Sequence, residues 1–197
     1  MSNKHHHFGG RTLARAQALQ LLFQAEATDR TVYEVLEGDY ALSQGPLDPF
    51  GEMLARGADD MRHELDAVIS ATSSNWSVSR MPSVDRNLLR LALYEMLEVD
   101  EVAIAVTIDE SVELAKAFGS DESPKFINGV LGRVASKMDK GVDVVAEAKR
   151  LEAERAAHED AEDAEDAEDD ECEGAGVEVR DEAAEAVGAD DEGLGEE

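Results

Sequence analysis

Residues 84–97 read VDRNLLRLALYEML. Val84, Leu88, Leu89, Leu91, Ala92, Leu93, Met96 and Leu97 spread over well more than half the circumference of a helix, with no trace of strand alternation. An apolar arc that wide suits a central helix packed on more than one side. Ser83 stands ready to cap it. The remaining strip carries Arg86, Arg90 and Tyr94, spaced i, i+4, i+8. Those arginines have two readings, pairing with the many nearby acids across two halves of a domain, or facing a partner.

Outward from this helix the pattern stays helical. On its C-terminal side, Thr107-Ile-Asp-Glu110 matches a capping box, with Ile108, Val112 and Ala115 on the buried face that follows. Gly119 reads as a left-handed stop. Ser123-Pro124 then reads as an N-cap followed by a first-turn proline, opening a helix with Phe126, Ile127, Val130, Leu131 and Val134 on one stripe. Gly129 and Gly132 inside that helix suit a close approach, or simply a permissive short helix. Only VAIAVTI (102–108) competes as a strand, and its flanking caps argue against it.

On the N-terminal side, TSSNWSVSRMPS (72–83) is polar and marks a boundary between two helical halves. A helix from Pro49 through Phe50, Met53, Leu54, Met61, Leu65, Val68 and Ile69 precedes it, with a break or close contact possible at Gly57. Val32–Leu42 forms another, ending before Gln44-Gly45-Pro46. The first helix reads GRTLARAQALQLLFQAE (10–26): Ala14, Ala18, Leu21, Leu22 and Ala25 form its core stripe, with Gln17, Gln20 and Gln24 on the wet side. The expected class is all-α.

Charge divides the chain unevenly. Residues 1–140 hold 14 Lys+Arg and 22 Asp+Glu, net −8; residues 141–197 hold 4 and 24, net −20. The repeated triplet in AHEDAEDAEDAEDDE (157–171) is too charged to offset its ordering entropy, so disorder is expected from about residue 145, with transient helix over 144–155. The expected organisation is a flexible leader (1–10), a helical domain (11–140) and an acidic tail (141–197). No run approaches the ~20 apolar residues of a membrane span, and no apolar segment follows the basic leader as a secretory signal requires. The only cysteine, Cys172, lies in the tail, so no internal disulfide is expected. A cytoplasmic protein is the plain expectation.

Enzyme signatures are missing: no H-E-x-x-H, no phosphate-binding G-x-x-x-x-G-K-[ST], no G-x-S-x-G and no G-x-G-x-x-G. His63 stands alone on a charged helix, and His5–His7 have no carboxylate or thiol nearby to complete a metal site. No cofactor is expected. The basic elements carry more. No carboxylate precedes Glu26, whereas Lys4, Arg11 and Arg15 do. Arg11 and Arg15, at the rim of the first helix, offer phosphate contacts, and Phe23, at the edge of the apolar face, offers a ring for an unstacked base. Two helix arginines and an edge phenylalanine are also commonplace in folded domains.

Three blocks carry a resemblance. ARAQALQLLFQAE (14–26), VDRNLLRLALYEML (84–97) and AVTIDESVELAKAFGSDESPKFINGVLGRVAS (105–136) closely resemble the NusB family of transcription antitermination factors, in family order and spacing over about residues 11–138. The resemblance implies two three-helix subdomains and a non-enzymatic RNA-binding factor. It implies binding to the boxA element of ribosomal RNA leader transcripts with ribosomal protein S10 (NusE), helping RNA polymerase and other Nus factors resist termination. It places RNA contacts at Arg11, Arg15, Phe23, Arg86 and Lys125, and partner contacts at Asp85, Asp121 and Glu122. Thr12, Leu13 and Ala14 depart from the arginine-rich family pattern at the N-terminal segment. Two alternatives accompany this reading. One is a regulatory homodimer that masks its RNA surface; the other is the NusB-like domain of an RNA methyltransferase.

Overall fold

The structure, a computed structural model, describes residues 7–73 and 77–173, with side chains to residue 158. Lys4, His5 and His6 of the leader, residues 74–76 of the expected boundary, and the tail from 174 lie outside the described residues. Among the described residues eight α-helices follow in order: α1 (Gly10–Ala27), α2 (Val32–Glu37), α3 (Pro49–Asp60), α4 (Arg62–Thr72), α5 (Ser83–Glu98), α6 (Ile104–Phe118), α7 (Ser123–Asp139) and α8 (Val144–Glu173). A single 3-10 turn, Val78–Arg80, precedes α5, and no strand occurs among the described residues.

The wide arc of α5 is used as its sequence implies. Leu88, Leu89, Leu91, Ala92 and Leu93 are buried, and α5 packs against α1, α3, α4, α6 and α7. Each such leucine contributes about 2 kcal/mol of apolar burial. Helices α1–α3 form one three-helix group and α5–α7 the other, with α4 leaning on α5 and α7. Two glycines of α3 set the distances in the first group. A Cβ on Gly51 would stand 2.5 Å from the Ala14 carbonyl oxygen, so α1 and α3 touch backbone to backbone. A Cβ on Gly57 would stand 1.9 Å from the Tyr94 ring, which occupies that space instead.

Several local expectations are corrected. The helix expected over Val32–Leu42 stops at Glu37, where Gly38 turns extended. The helix expected from Pro49 through Ile69 is two, and its break falls at Met61 (φ −95°, ψ 16°) rather than Gly57. Thr107 is not an N-cap: α6 begins a turn earlier at Ile104, and Thr107 is buried inside it. The capping box that does form is Thr31–Glu34, at the start of α2. Gly119 is extended (φ −92°, ψ −170°), not left-handed; glycine is needed there because a Cβ would meet Ser123 at 2.6 Å. Ser83 and Ser123 are the first residues of α5 and α7 rather than their caps, and neither cap position supplies a side-chain bond. Gly129 and Gly132 serve no close helix approach, since open space or the Arg133 side chain at 3.9 Å lies where their Cβ would be.

The three glutamines of α1 depart furthest from expectation. Gln17 is fully buried: its Nε2 donates to the carbonyls of Gln44 and Pro46, and its Oε1 accepts from the Asp48 N–H. Gln20 exchanges bonds with Ser43, and Gln24 with the backbone of Ala41. Side-chain amides thus do for residues 41–48 what a neighbouring strand does elsewhere, hydrogen-bonding to the backbone groups of that segment. Beyond α7, the described helix also outruns the expected disorder. Val144 and Ala148 of α8 are buried, the Asp143 carboxylate accepts from the N–H groups of Val145 and Ala146, and Lys137 pairs with Glu147 at 2.5 Å. The compact unit runs through Ala156, and residues 157–197 form a second unit, described as helical backbone to Glu173.

Candidate nucleic-acid interface

The first turns of α1 carry both basic residues expected to meet phosphate, and the fold treats them oppositely. Arg11 is exposed, its guanidinium 4.9 Å above the Phe50 ring and 3.7 Å from Glu101. Its hold on Glu101 is loose and solvated, the kind of pairing worth little. Arg15 is 3% exposed, which corrects its expected place at the rim. Its Nε and Nη2 donate to the fully buried Glu95 carboxylate at 2.7–3.1 Å, and its Nη1 stands 3.5 Å from Glu110. A guanidinium engaged in this way braces α1 against α5 and α6 and has no free edge for a phosphate.

Arg86 is likewise corrected from the RNA face to the frame. It donates to both oxygens of Glu26 at 2.5 and 3.1 Å and to the carbonyls of Val78 and Met81 at 2.8 Å. Arg90 completes the cluster, bonding Glu26 at 2.8 Å and holding Asp66 through two bonds of 2.7 Å. Burial pushes the Glu26 carboxyl up, but hydrogen bonds from Arg86 and Ser83 and the charges of Arg86 and Arg90 outweigh it, leaving a pKa of about 2. The i, i+4 arginines of α5 are therefore the acid-pairing strip that one reading of the sequence offered. Sequence reasoning missed Glu26 as their counterpart, and Glu95 as that of Arg15. Glu95 had a signal: it falls one turn beyond Leu91 and Ala92, an acid on an apolar arc that demands a buried cation.

Phe23 is where it was expected, at the edge of α1 and 43% exposed. It lines a shallow groove of about 340 Å³ with Leu19, Val84 and Phe118. A second, larger groove of about 710 Å³ opens between the N-terminal ends of α5 and α7. Met81, Pro82 and Phe126 form its apolar floor; Lys125, Arg133, Glu122 and Asp85 supply charge. Asp85 is only 5% exposed, and its Oδ1 has no hydrogen-bond partner. A buried carboxylate oxygen so placed costs free energy until a donor reaches it. The structure thus gathers Asp85, Glu122 and Lys125 at one groove, sets the exposed Asp121 one residue from it, and places Phe23 at another.

Similarity to known proteins agrees with the blocks that carried the resemblance. The NusB family model matches residues 12–136. The chain belongs to the NusB family. The NusB of Bacillus subtilis (strain 168), a transcription antitermination protein, is 42% identical over 130 residues, 66% of this chain and 98% of its own length. That of Rubrobacter xylanophilus is 43% identical over 128 residues, covering 65% and 91%. Among solved structures, T. maritima NusB is 35% identical, with a TM-score of 0.57 over 66% of this chain and 94% of its own. A complex of the antitermination factors NusB and NusE with dsRNA matches at 24% identity and a TM-score of 0.52, over 63% and 94%, a likeness of fold. The family model ends at residue 136, within α7, so α8 and the acidic segment lie outside the residues it matches. Among the described residues no helix is long and apolar enough to cross a membrane.

Proposed function

We infer that this protein is a transcription antitermination factor that binds boxA RNA of ribosomal leader transcripts together with ribosomal protein S10, and that it works with RNA polymerase and the other Nus factors. Its work is binding rather than catalysis, in the cytoplasm where transcripts emerge. The observation that carries the reading is the incomplete groove at the ends of α5 and α7. An apolar floor, a buried Asp85 oxygen without a donor and an exposed lysine together fit a protein partner that brings its own hydrogen-bond donor. Asp85, Asp121 and Glu122 receive S10. Arg11, Lys125 and Phe23 face the RNA, and Arg15 and Arg86 hold that face in shape from behind. In the solved complex of NusB and NusE with dsRNA, a protein of the same fold combines the same two kinds of partner.

The test is a titration of boxA RNA and a scrambled control with S10 present or absent. Asp85→Lys is expected to weaken S10 binding at least tenfold while helical content stays unchanged. The double variant Arg11→Ala/Lys125→Ala is expected to weaken boxA binding and to flatten its salt dependence by about 1.4 in the log–log slope, for two lost contacts to a single strand. Wild-type S10 affinity in the first variant sinks the groove assignment. An unchanged slope in the second sinks the phosphate assignment.

A further inference from the structure

The groove beside Phe23 has an aromatic neighbour that the family match does not cover. Phe8 lies four residues ahead of the matched segment, and its ring stacks on Phe118 with centroids 5.9 Å apart and planes 30° from parallel. Its N–H donates to Gln44 Oε1 at 3.2 Å, so the leader is tied to the loop that the glutamines of α1 hold. The stack leaves Phe118 as one wall of the 340 Å³ groove, with Phe23 as another and the aliphatic side chains of Leu19 and Val84 between them. No ionisable side chain lines the groove. At its edge Gln20 donates to Ser43 through one amide N–H and keeps the second for an acceptor.

We propose that this groove is a slot for a single unpaired nucleobase of the bound RNA, and that Phe8 builds it by backing Phe118. The proposal rests on the RNA-binding reading above and adds a site and a residue to it. Planar aromatic walls, an uncharged lining and an edge amide donor together suit a base, whose faces are apolar and whose rim accepts hydrogen bonds. The charge of the N-terminal sequence agrees with a nucleic-acid strand. In a protein of net charge −28, the first 25 residues contain no carboxylate but include Lys4, Arg11 and Arg15, and the last of these is neutralised internally. Arg11 and Phe23, twelve residues apart on α1, are about 18 Å apart along the axis. The two residues are also about 120° apart around the axis, so a strand touching Arg11 with a phosphate reaches the slot by running along the helix and part-way round it. The departure at Thr12-Leu13-Ala14 acquires a counterpart: where phosphate contacts are fewer, stacking holds the strand.

The test uses the full chain with S10 and a boxA RNA carrying 2-aminopurine at successive positions, whose fluorescence falls when the base stacks on an aromatic ring. The wild-type protein is expected to quench one position strongly. Phe8→Ala is expected to restore fluorescence at that position and weaken binding roughly 5- to 50-fold, in line with the loss of one stacked base. Phe8→Tyr keeps both. A merely structural role for Phe8 would leave the position-specific quench in place. RNA binding with no position-specific quench, or a Phe8→Ala protein that quenches and binds as the wild type does, overturns the slot and leaves the RNA reading standing. A wild-type protein that binds no boxA RNA overturns that reading itself.

Discussion

Helix α1 is pinned at both ends by ion pairs, and the two pins are reversed. Near its start the helix supplies the cation, Arg15, to acids on α5 and α6; near its end it supplies the anion, Glu26, to arginines on α5. The first pin is sealed, with side-chain exposures of 4% for Arg15 and 0% for Glu95. The second is half open, with Glu26 at 19% and Asp66 at 28%. The difference shows why one motif, arginine four residues from arginine, means different things in one chain. In Arg11/Arg15 the pair straddles the border of the core, and in Arg86/Arg90 both members lie just inside it. Burial, not spacing, decides whether such an arginine is available to RNA.

Breaking the sealed pin gives the largest effect. Arg15→Met leaves Glu95 charged and buried with no counterion, and the expected loss is about 3–5 kcal/mol, read as a lower urea midpoint at unchanged slope. Arg15→Met combined with Glu95→Leu removes both charges and is expected to recover much of that loss, because two apolar side chains need no partner. If the double variant is no more stable than the single one, the cost lies in lost shape rather than an orphaned charge, and the contrast between the two pins disappears.

The half-open pin makes a smaller contribution, and pH exposes it. The Glu26 carboxyl titrates near 2 in the folded protein, below the ordinary value of 4.5, so folding favours its ionised form. Its contribution is therefore complete above about pH 5 and is lost as pH falls through 4 towards 2. After allowance for solvent screening it amounts to on the order of 2 kcal/mol. Glu26→Gln should be less stable than the wild type at pH 7 by that amount, with the gap narrowing as pH falls below about 5 and closing only below the folded value of about 2. A gap that stays constant over this range would mean that Glu26 acts through its hydrogen bonds alone and that charge plays no part at this end.

Much of the fold is legible in the sequence because an apolar arc needs no distant information. The width of the α5 arc told that it is central, and Ser123-Pro124 located the start of α7 to within a residue. Polar residues are harder to place, because their position depends on partners far along the chain. Arg15 shares a side of α1 with Ala18, Leu19 and Leu22, which was consistent with the core, but its counterion lies 80 residues away. The Thr31–Glu34 box was as visible as the one expected at Thr107–Glu110. The second failed because the buried face of α6 includes Thr107 itself, and packing outweighed capping. At the grooves, Phe23 was readable from its edge position. Phe8 was not, since nothing in FGG (8–10) shows a ring that turns back onto Phe118.

The same gradient from sealed to open runs along the glutamines of α1 and offers the finest comparison. Gln17, fully buried, serves three backbone groups of residues 44–48. Gln24, nearer the open end, serves two groups of Ala41 that water can reach. Replacing Gln17 by Ala strands three groups that water reaches poorly, and the expected loss is about 1–3 kcal/mol. Replacing Gln24 by Ala strands two that water can satisfy, and less than about 1 kcal/mol is expected. Hydrogen exchange separates the two losses from a general destabilisation: the Asp48 amide should lose protection in the first variant, and the Ala41 amide in the second. Equal losses in both variants would mean that these side chains order the loop as a unit, and that their depth along the helix does not matter.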